Sequence, residues 1–153
     1  MTTVLICARG YGVAELLDGV AWTVAADAAL VVLHVVDGRP ASEIEHVFAH
    51  LPGREPGRQR ASERIRRADG DARAAIEAEV AGWSARHGRV VALIPSTGRP
   101  EREIVWVAGE RAADVVALGG GGAIGPRRHG PVVQYVIDHA PCAVLIVPPP
   151  DGL

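Results

Sequence analysis

The last quarter of the chain limits the fold more than any other stretch, because two strand patterns there flank one helix pattern. Residues 115–118 form a short apolar run closed by four consecutive glycines, which is typical of a buried strand entering a tight loop. Gly130 and Pro131 then open a helix pattern, with proline at the first helical position, where its missing N–H is tolerated. A second apolar run, residues 143–147, stops at Pro148. These elements predict a βαβ unit.

The rest of the chain repeats this alternation. Further strand patterns lie over residues 4–8, 30–36 and 89–95, and longer helix patterns over residues 14–28, 62–87 and 100–110. Alternating strands and helices predict a doubly wound parallel sheet with helices on both faces. The run at residues 30–36 is apolar except for His34, as expected for a strand covered on both sides. Helical spacing places Ala72 and Ile137 on buried helix faces.

Residues 37–61 fit this alternation least well and read as an insertion with a short helix. Ser42 and Glu45 have capping-box spacing, which predicts the start of that helix. His46 and His50 are four residues apart, but they fall opposite the apolar stripe and no third ligand follows. We therefore expect a solvated face and no metal site. Two Pro-Gly pairs and several arginines over residues 52–60 predict a mobile basic loop.

Composition limits the class of protein. With 153 residues, the chain is long enough for one domain with a real core, which we expect over residues 1–150. A formal charge of −2 does not favour a nucleic-acid partner. No apolar stretch approaches the ~20 residues of a membrane span, and the first residues lack a signal-peptide pattern, so we expect a cytoplasmic protein. Cys7 and Cys142 match no metal or disulfide spacing and are expected to be buried.

The run GPVVQYVIDHAPCAVLIV resembles the C-terminal signature of the universal stress protein family. The segments VLICARG, LVVLHVVD and GRPEREIVWVAGERAADVVALG are similar to earlier strands, a turn and a helix of that family, so the likeness spans nearly the whole chain except residues 38–61. The resemblance implies an α/β, Rossmann-like single domain with a five-stranded parallel sheet in the order 3-2-1-4-5.

In open α/β sheets, ligands bind beyond the carboxyl ends of the strands, where the strand order reverses. For the implied order, this switch point lies between the first and fourth strands. Glycine-rich loops and a helix N-terminus there favour a phosphate or another anion. The candidate ligand-binding residues are Arg9, Gly10, Val35, Gly119, Gly122, Arg127, Arg128, Gly130 and Pro131.

The resemblance also implies a nucleotide motif, from which this chain departs in three places. Family members similar to ATP binders carry Gly-x2-Gly-x9-Gly-Ser/Thr and an Asp at the end of the first strand. Here only seven residues separate Gly122 from Gly130, and the next residue is Pro131, which has neither hydroxyl nor N–H. Arg9 stands where the Asp would be. We therefore expect that ATP does not bind in the usual way.

Three functional hypotheses remain open. The first is a regulatory or binding module of the stress response, the second a stress protein that binds ATP or AMP, and the third an accessory protein of a pathway enzyme that binds a small anion. No catalytic motif, such as a nucleophile elbow or a P-loop lysine, is present, so we expect no enzyme, with slow nucleotide hydrolysis left open as the alternative. Protein partners other than a second copy of the chain remain open as well.

The last strand is expected to be the interface of a homodimer. In the order 3-2-1-4-5 it lies at an edge, and it has no lysine or internal proline to block strand pairing. A second copy of the same strand, antiparallel across a two-fold axis, would cover it, as the resemblance also implies. The predicted interface residues are Ala143, Val144, Leu145, Ile146 and Val147.

Overall fold

The computed structural model describes residues 1–8, 12–51, 53–120 and 130–148. In these residues, strands and helices follow one another along the chain: β1 (Thr3–Cys7), α1 (Val13–Thr23), β2 (Ala29–Val36), α2 (Arg39–Phe48), α3 (Glu55–His87), β3 (Val91–Thr97), α4 (Pro100–Glu110), β4 (Val115–Gly119), α5 (Pro131–His139) and β5 (Ala143–Val147).

The described strands form one five-stranded parallel sheet in the order β3-β2-β1-β4-β5. In the centre of the sheet, Cys7 of β1 lies in register with Leu33 of β2 and Leu118 of β4. The predicted fold class and strand order are therefore confirmed. Among the described helices, none is both long and apolar enough to cross a membrane.

Alternate residues of the strands contribute side chains to two separate cores, one on each face of the sheet. Val4, Ile6 and Val32 point to the face covered by α1 and α3, whereas Leu5 and Leu33 point to the face covered by α4 and α5. This alternation follows from the two-residue period of a β-strand. Both faces of the central strands are covered, which explains why their sequences are almost entirely apolar.

The region between β2 and β3 differs most from the sequence-based expectation. The short helix is present as α2, but it begins after Gly38, so Ser42 lies inside the helix and the predicted capping box is wrong. The long helix α3 begins at Glu55, so most of the predicted mobile loop is helical. Pro56 lies in its first turn, where proline costs no hydrogen bond. Arg58 binds Glu45 and Glu55, which joins the start of α3 to α2.

Other differences from the sequence-based expectation are smaller. Helix α1 ends at Thr23 because Val24 is extended, with φ −104° and ψ 162°. Strand β3 starts and ends two residues later than predicted. Ile137 lies 100° around α5 from the buried Val136 and is 42% exposed. Ala72 is exposed, and the buried residues of α3, Val80 and Trp83, lie further along the helix. Cys7 is buried as predicted, but Cys142 is only partly buried.

Helix α1 approaches the edge strand β5 closely at Gly19. A Cβ atom added at Gly19 would overlap Cγ1 of Val147, so the close approach requires glycine here. Gly70, in the middle of α3, has no atom within 4 Å of the same position. A methyl group would therefore clash with Val147 at position 19 but would meet open space at position 70.

We expect Gly19→Ala to lower the free energy of unfolding by about 1–3 kcal/mol, because overpacking outweighs the better helix propensity of alanine. Gly70→Ala is the matched control and should raise the same free energy by about 0.5–1 kcal/mol. Urea denaturation of both variants measures the difference. Equal stabilisation of the two would show that α1 and β5 are not packed closely at Gly19.

Candidate functional site

The candidate site lies at the carboxyl edge of the sheet, where the strand order reverses between β1 and β4. Strand β4 ends at Gly119, and the following Gly120 donates its N–H to the carbonyl oxygen of Val147 at 2.7 Å. A Cβ at Gly120 would come within 2.8 Å of Cγ2 of Ile146. The start of the glycine loop is therefore held against the end of β5. Here glycine serves close packing of the backbone.

The N-terminus of α5 opens onto the same edge. Gly130 is its N-cap residue, in an extended conformation with φ −73° and ψ 174°, and Pro131 is the first helical residue. The N–H of Gln134 donates to the carbonyl oxygen of Gly130 at 3.1 Å. Gly130 has no side chain that could cap this end of the helix. Because proline has no N–H, Val132 and Val133 supply the first backbone donors that an anion could meet here.

The N-terminus of α1 is different, because an acidic side chain already occupies it. Glu79 of α3 accepts the N–H of Ala14 through Oε2 at 3.2 Å. A carboxylate at this position satisfies one free donor and matches the positive end of the helix dipole. Among the described residues, a side chain from another helix thus occupies the N-terminus of α1, and none is seen at the N-terminus of α5. Sequence reasoning missed Glu79, because no local pattern links residues 65 positions apart.

The structure describes four of the nine candidate ligand-binding residues. Gly119, Gly130 and Pro131 lie on the segments that border the switch point, at the end of β4 and the start of α5. Val35 lies near the end of β2, where it is partly buried against the α4 and α5 core. The five others lie outside the described residues: Arg9, Gly10, Gly122, Arg127 and Arg128.

The described residues offer little for metal or thiol chemistry. Within them, no group of three or more His, Cys, Asp or Glu side chains is placed to hold a metal ion. His46 of α2 and His50, just after the helix, meet edge to face with ring centroids 5.8 Å apart. Burial raises the pKa of the Cys142 thiol, so it stays protonated at neutral pH.

A groove beside β5 is a further concave feature of the described chain. It has a volume of about 380 Å³ and lies between α1 and the end of β5. Gly19 and Thr23 form part of one wall, and Leu145 and Pro148 form part of the other. Because β5 is an edge strand, the groove lies beside an open edge of the sheet.

Comparisons with known proteins agree with this architecture. The model of the universal stress protein family matches residues 13–148. Universal stress protein UspA from Lactobacillus plantarum is 24% identical with a TM-score of 0.70, and the match covers 95% of this chain and 97% of that chain. A search of curated protein sequences found no match.

Two further solved structures of similar fold contain nucleotides. The universal stress protein from Archaeoglobus fulgidus in complex with dAMP is 16% identical with a TM-score of 0.59, covering 95% of this chain and 97% of that one. An Arabidopsis thaliana member with AMP bound is 13% identical with a TM-score of 0.56, covering 97% and 91%. These likenesses show the fold. Because the family model spans most of the sequence, the chain belongs to the universal stress protein family.

Proposed function

We propose that the protein is a homodimeric regulatory or binding module whose switch-point crevice does not bind ATP in the usual way. The observation that carries this proposal is Pro131 at the first position of α5, directly after the N-cap Gly130. At this position a serine or threonine would offer both a hydroxyl and a backbone N–H to a phosphate. Proline offers neither, so two phosphate contacts are lost together.

Two features of the sequence add to the loss of phosphate contacts. Only seven residues separate Gly122 from Gly130, so a loop of this length has a shorter reach than one of nine residues. Arg9 follows the first strand in the sequence, in place of an acidic residue, and a guanidinium cannot help to hold Mg²⁺ beside a triphosphate. A polyphosphate with its metal ion is therefore a poor ligand for this crevice.

A nucleoside monophosphate is the second candidate, and two observations favour it. Similar structures contain AMP and dAMP, each with one phosphate. The N–H groups of Val132 and Val133 lie in the first turn of α5, where a helix N-terminus favours a phosphate. Arg9, Arg127 and Arg128 would add positive charge for a phosphate, a carboxylate or an acidic segment of a partner.

The test is the melting temperature with each ligand added separately at millimolar concentration. A ligand present at a hundred times its dissociation constant adds about 2.7 kcal/mol, and a chain of this size gains roughly 2–4 °C per kcal/mol. We expect Mg-ATP to leave the melting temperature unchanged. A rise of several degrees with Mg-ATP would refute the proposal, whereas a rise with AMP alone would select the monophosphate candidate.

A loop variant provides the matched control for the melting experiment. It combines Pro131→Ser and Arg9→Asp with a spacer lengthened to nine residues. If the three departures are what weakens ATP binding, this variant should gain a melting shift with Mg-ATP that the natural chain lacks. If neither protein responds, the crevice excludes ATP for another reason, and the role given to Pro131 is wrong.

The dimer part of the proposal rests on a difference between the two edges of the sheet. Strand β3, at one edge, contains Pro95, which cannot donate a backbone hydrogen bond to an added strand. Strand β5, at the other edge, contains no proline, and no described strand pairs with the outer side of residues 143–146. Leu145 is only partly buried and lines the groove beside α1. An apolar edge of this kind favours pairing with a second copy.

A further inference from the structure

Helix α2 and the first half of α3 form a helix pair that adds no buried residue to the cores of the sheet. In α2, no described residue is buried. In α3, all of which the structure describes, the buried residues are Val80 and Trp83, and both lie in its second half. The side chains of the pair are therefore at least partly open to solvent and to other molecules.

Two contacts fix how the two helices face each other. Cε1 of Phe48 on α2 lies 3.3 Å from the position that a Cβ would take at Gly57 of α3. Beside this contact, Nη1 of Arg58 donates to Oε1 of Glu45 at 2.5 Å, and the same guanidinium binds Glu55 of its own helix. Phe48 and Gly57 thus mark the line along which the helices touch, and the ion pair closes one side of that line.

Helical geometry places a different set of side chains on the other side of this line. Each residue is turned by about 100° around the helix axis relative to the one before it. From Phe48, this turn takes Glu45 in one direction and Val47 in the other. From Gly57, it takes Arg58 in one direction and three further arginines in the other: Arg60, Arg64 and Arg67. Because Glu45 and Arg58 meet on the first side, Val47 and the three arginines share the second.

Apolar side chains border this second side on α2. Val47 is 55% exposed, and Leu51, which belongs to the same apolar stripe, is 45% exposed. Ile44 and Phe48 of that stripe are partly buried. A stripe of this spacing is typical of a helix face that packs against another element. Neither of the two cores of the described residues includes Val47 or Leu51.

Arginine side chains border the same side on α3. Arg60, Arg64 and Arg67 have the spacing of one helix face, are exposed, and extend over about 10 Å of the helix. Within the described part of the chain, none of the three forms an ion pair. Their neighbour Arg58, in contrast, has two carboxylate partners. The three guanidinium groups are therefore available to carboxylates from another molecule.

The two borders flank a groove along the contact between the helices, which we call the helix-pair groove: Val47 and Leu51 lie on one side of it, and Arg60, Arg64 and Arg67 on the other. We propose that this groove docks an amphipathic helix of another protein. The apolar stripe of that helix covers the two aliphatic side chains, and acidic residues spaced like the arginines pair with them. This site is separate from the crevice and from β5, so the proposal goes beyond the function proposed above.

The charges around the groove favour a protein helix over a polyanion. Glu63 and Asp71 lie among the arginines on the exposed surface of α3, and the whole chain has a formal charge of −2. Both features oppose a nucleic acid or an anionic membrane, whose negative charge is continuous. Two aliphatic side chains also offer little to insert into a bilayer. A helix that places single carboxylates opposite the arginines avoids the two acidic residues.

Binding of a designed helical peptide to the full chain tests the groove. The probe is a fluorescently labelled peptide of about 16 residues, with leucines along one face at the spacing of an amphipathic helix and glutamates four and three residues apart on the adjoining face. We expect a dissociation constant of about 10–100 µM by fluorescence anisotropy at low salt, since a small interface is weak. Raising the salt to about 0.3 M should weaken binding about fivefold, because the arginines are exposed to solvent.

Two sets of substitutions locate the binding site. The groove variant replaces the three arginines of the groove: Arg60→Gln, Arg64→Gln and Arg67→Gln. It should bind the peptide about tenfold more weakly, because three charge pairs are lost. The matched control removes the same charge from exposed arginines elsewhere: Arg86→Gln, Arg102→Gln and Arg111→Gln. This control should bind like the natural chain, and circular dichroism should show that both variants are folded.

Two further measurements separate docking from simple charge attraction. Val47→Ser together with Leu51→Ser should weaken binding about tenfold at unchanged net charge, because apolar contact is lost. A peptide of the same composition, with its leucines and glutamates scrambled, should also bind about tenfold more weakly. Equal binding of the two peptides, or an equal loss in the groove variant and its matched control, would overturn the proposal.

Other results assign the groove to a different occupant and overturn the proposal as well. One is the absence of peptide binding at about 1 mM peptide. Another is binding to duplex DNA, or to vesicles of phosphatidylcholine and phosphatidylserine, that is tighter than binding to the peptide and is lost in the groove variant. A third is salt-sensitive self-association that the groove variant lacks, which would place a second copy of the chain in the groove.

Discussion

Replacing Trp83 with alanine should lower the free energy of unfolding by about 3–5 kcal/mol, the largest single effect expected in this protein. Trp83 of α3 is fully buried in the core that it shares with α1 and the sheet, and its Nε1 donates to Oδ1 of Asp18 at 2.8 Å. The indole also stacks on His87, with ring centroids 4.2 Å apart and planes inclined by 17°. Alanine would leave a cavity and would remove the donor that ties α3 to α1.

Urea denaturation of the variant and of a matched control measures this effect. Trp22 lies on α1 but is 91% exposed, so Trp22→Ala should change the free energy of unfolding by no more than about 0.5 kcal/mol. Trp83→Phe keeps a ring in the core but loses the bond to Asp18, and its loss of stability should fall between those of the two alanine variants. If the alanine variants at 83 and 22 are equally stable, Trp83 is not the centre of this core.

The second large effect concerns assembly. Placing lysine at both Ala143 and Leu145 should convert the proposed dimer into a folded monomer, because charges on an edge strand block pairing with another strand. Ala143 is exposed and Leu145 partly buried, so both positions can place an ammonium group in water. Val147 is unsuitable for this purpose, since it is 8% exposed and lysine there would disturb the α1 core.

Light scattering at tens of micromolar protein gives the mass of each form directly. The control places the same two charges elsewhere, at Val90, which is 91% exposed, and Trp106, which is 62% exposed. This control should remain a dimer. A natural chain that is monomeric at this concentration, or a lysine variant at 143 and 145 that stays dimeric while folded, would contradict an interface on β5.

The parts of the fold that could be predicted are those with local chemical signals. Apolar runs marked all five strands, glycine or proline marked the ends of β4 and β5, and the prolines at 100 and 131 marked the starts of α4 and α5. The start of α3 could not be predicted in this way. Residues 52–60 have the composition of a turn, yet Pro56 is acceptable in a first helical turn, and Arg58 gains two carboxylate partners only when α2 lies beside it.

The candidate site also combines features that could be predicted from local sequence with features that could not. The position of the site follows from the strand order. The departure from the nucleotide motif at Pro131 could also be predicted from the sequence, because proline lacks a backbone N–H in any structure. The carboxylate of Glu79 on the N-terminus of α1 depends on how α3 crosses the sheet. That neither ring nitrogen of His34 has a hydrogen-bond partner among the described residues likewise appears only in the structure. Contacts between residues far apart in the sequence leave no local sequence pattern.

The small-molecule content of protein purified without added ligand tests the account of the crevice most directly. The protein is denatured, the extract is analysed by mass spectrometry, and nucleotide is compared with protein on a molar basis. Because Pro131 removes two phosphate contacts and the loop before Gly130 is short, we expect no stoichiometric ATP. Less than about one ATP in a hundred chains would agree with a dissociation constant far above that of a tightly held ligand. One ATP per chain would contradict the account.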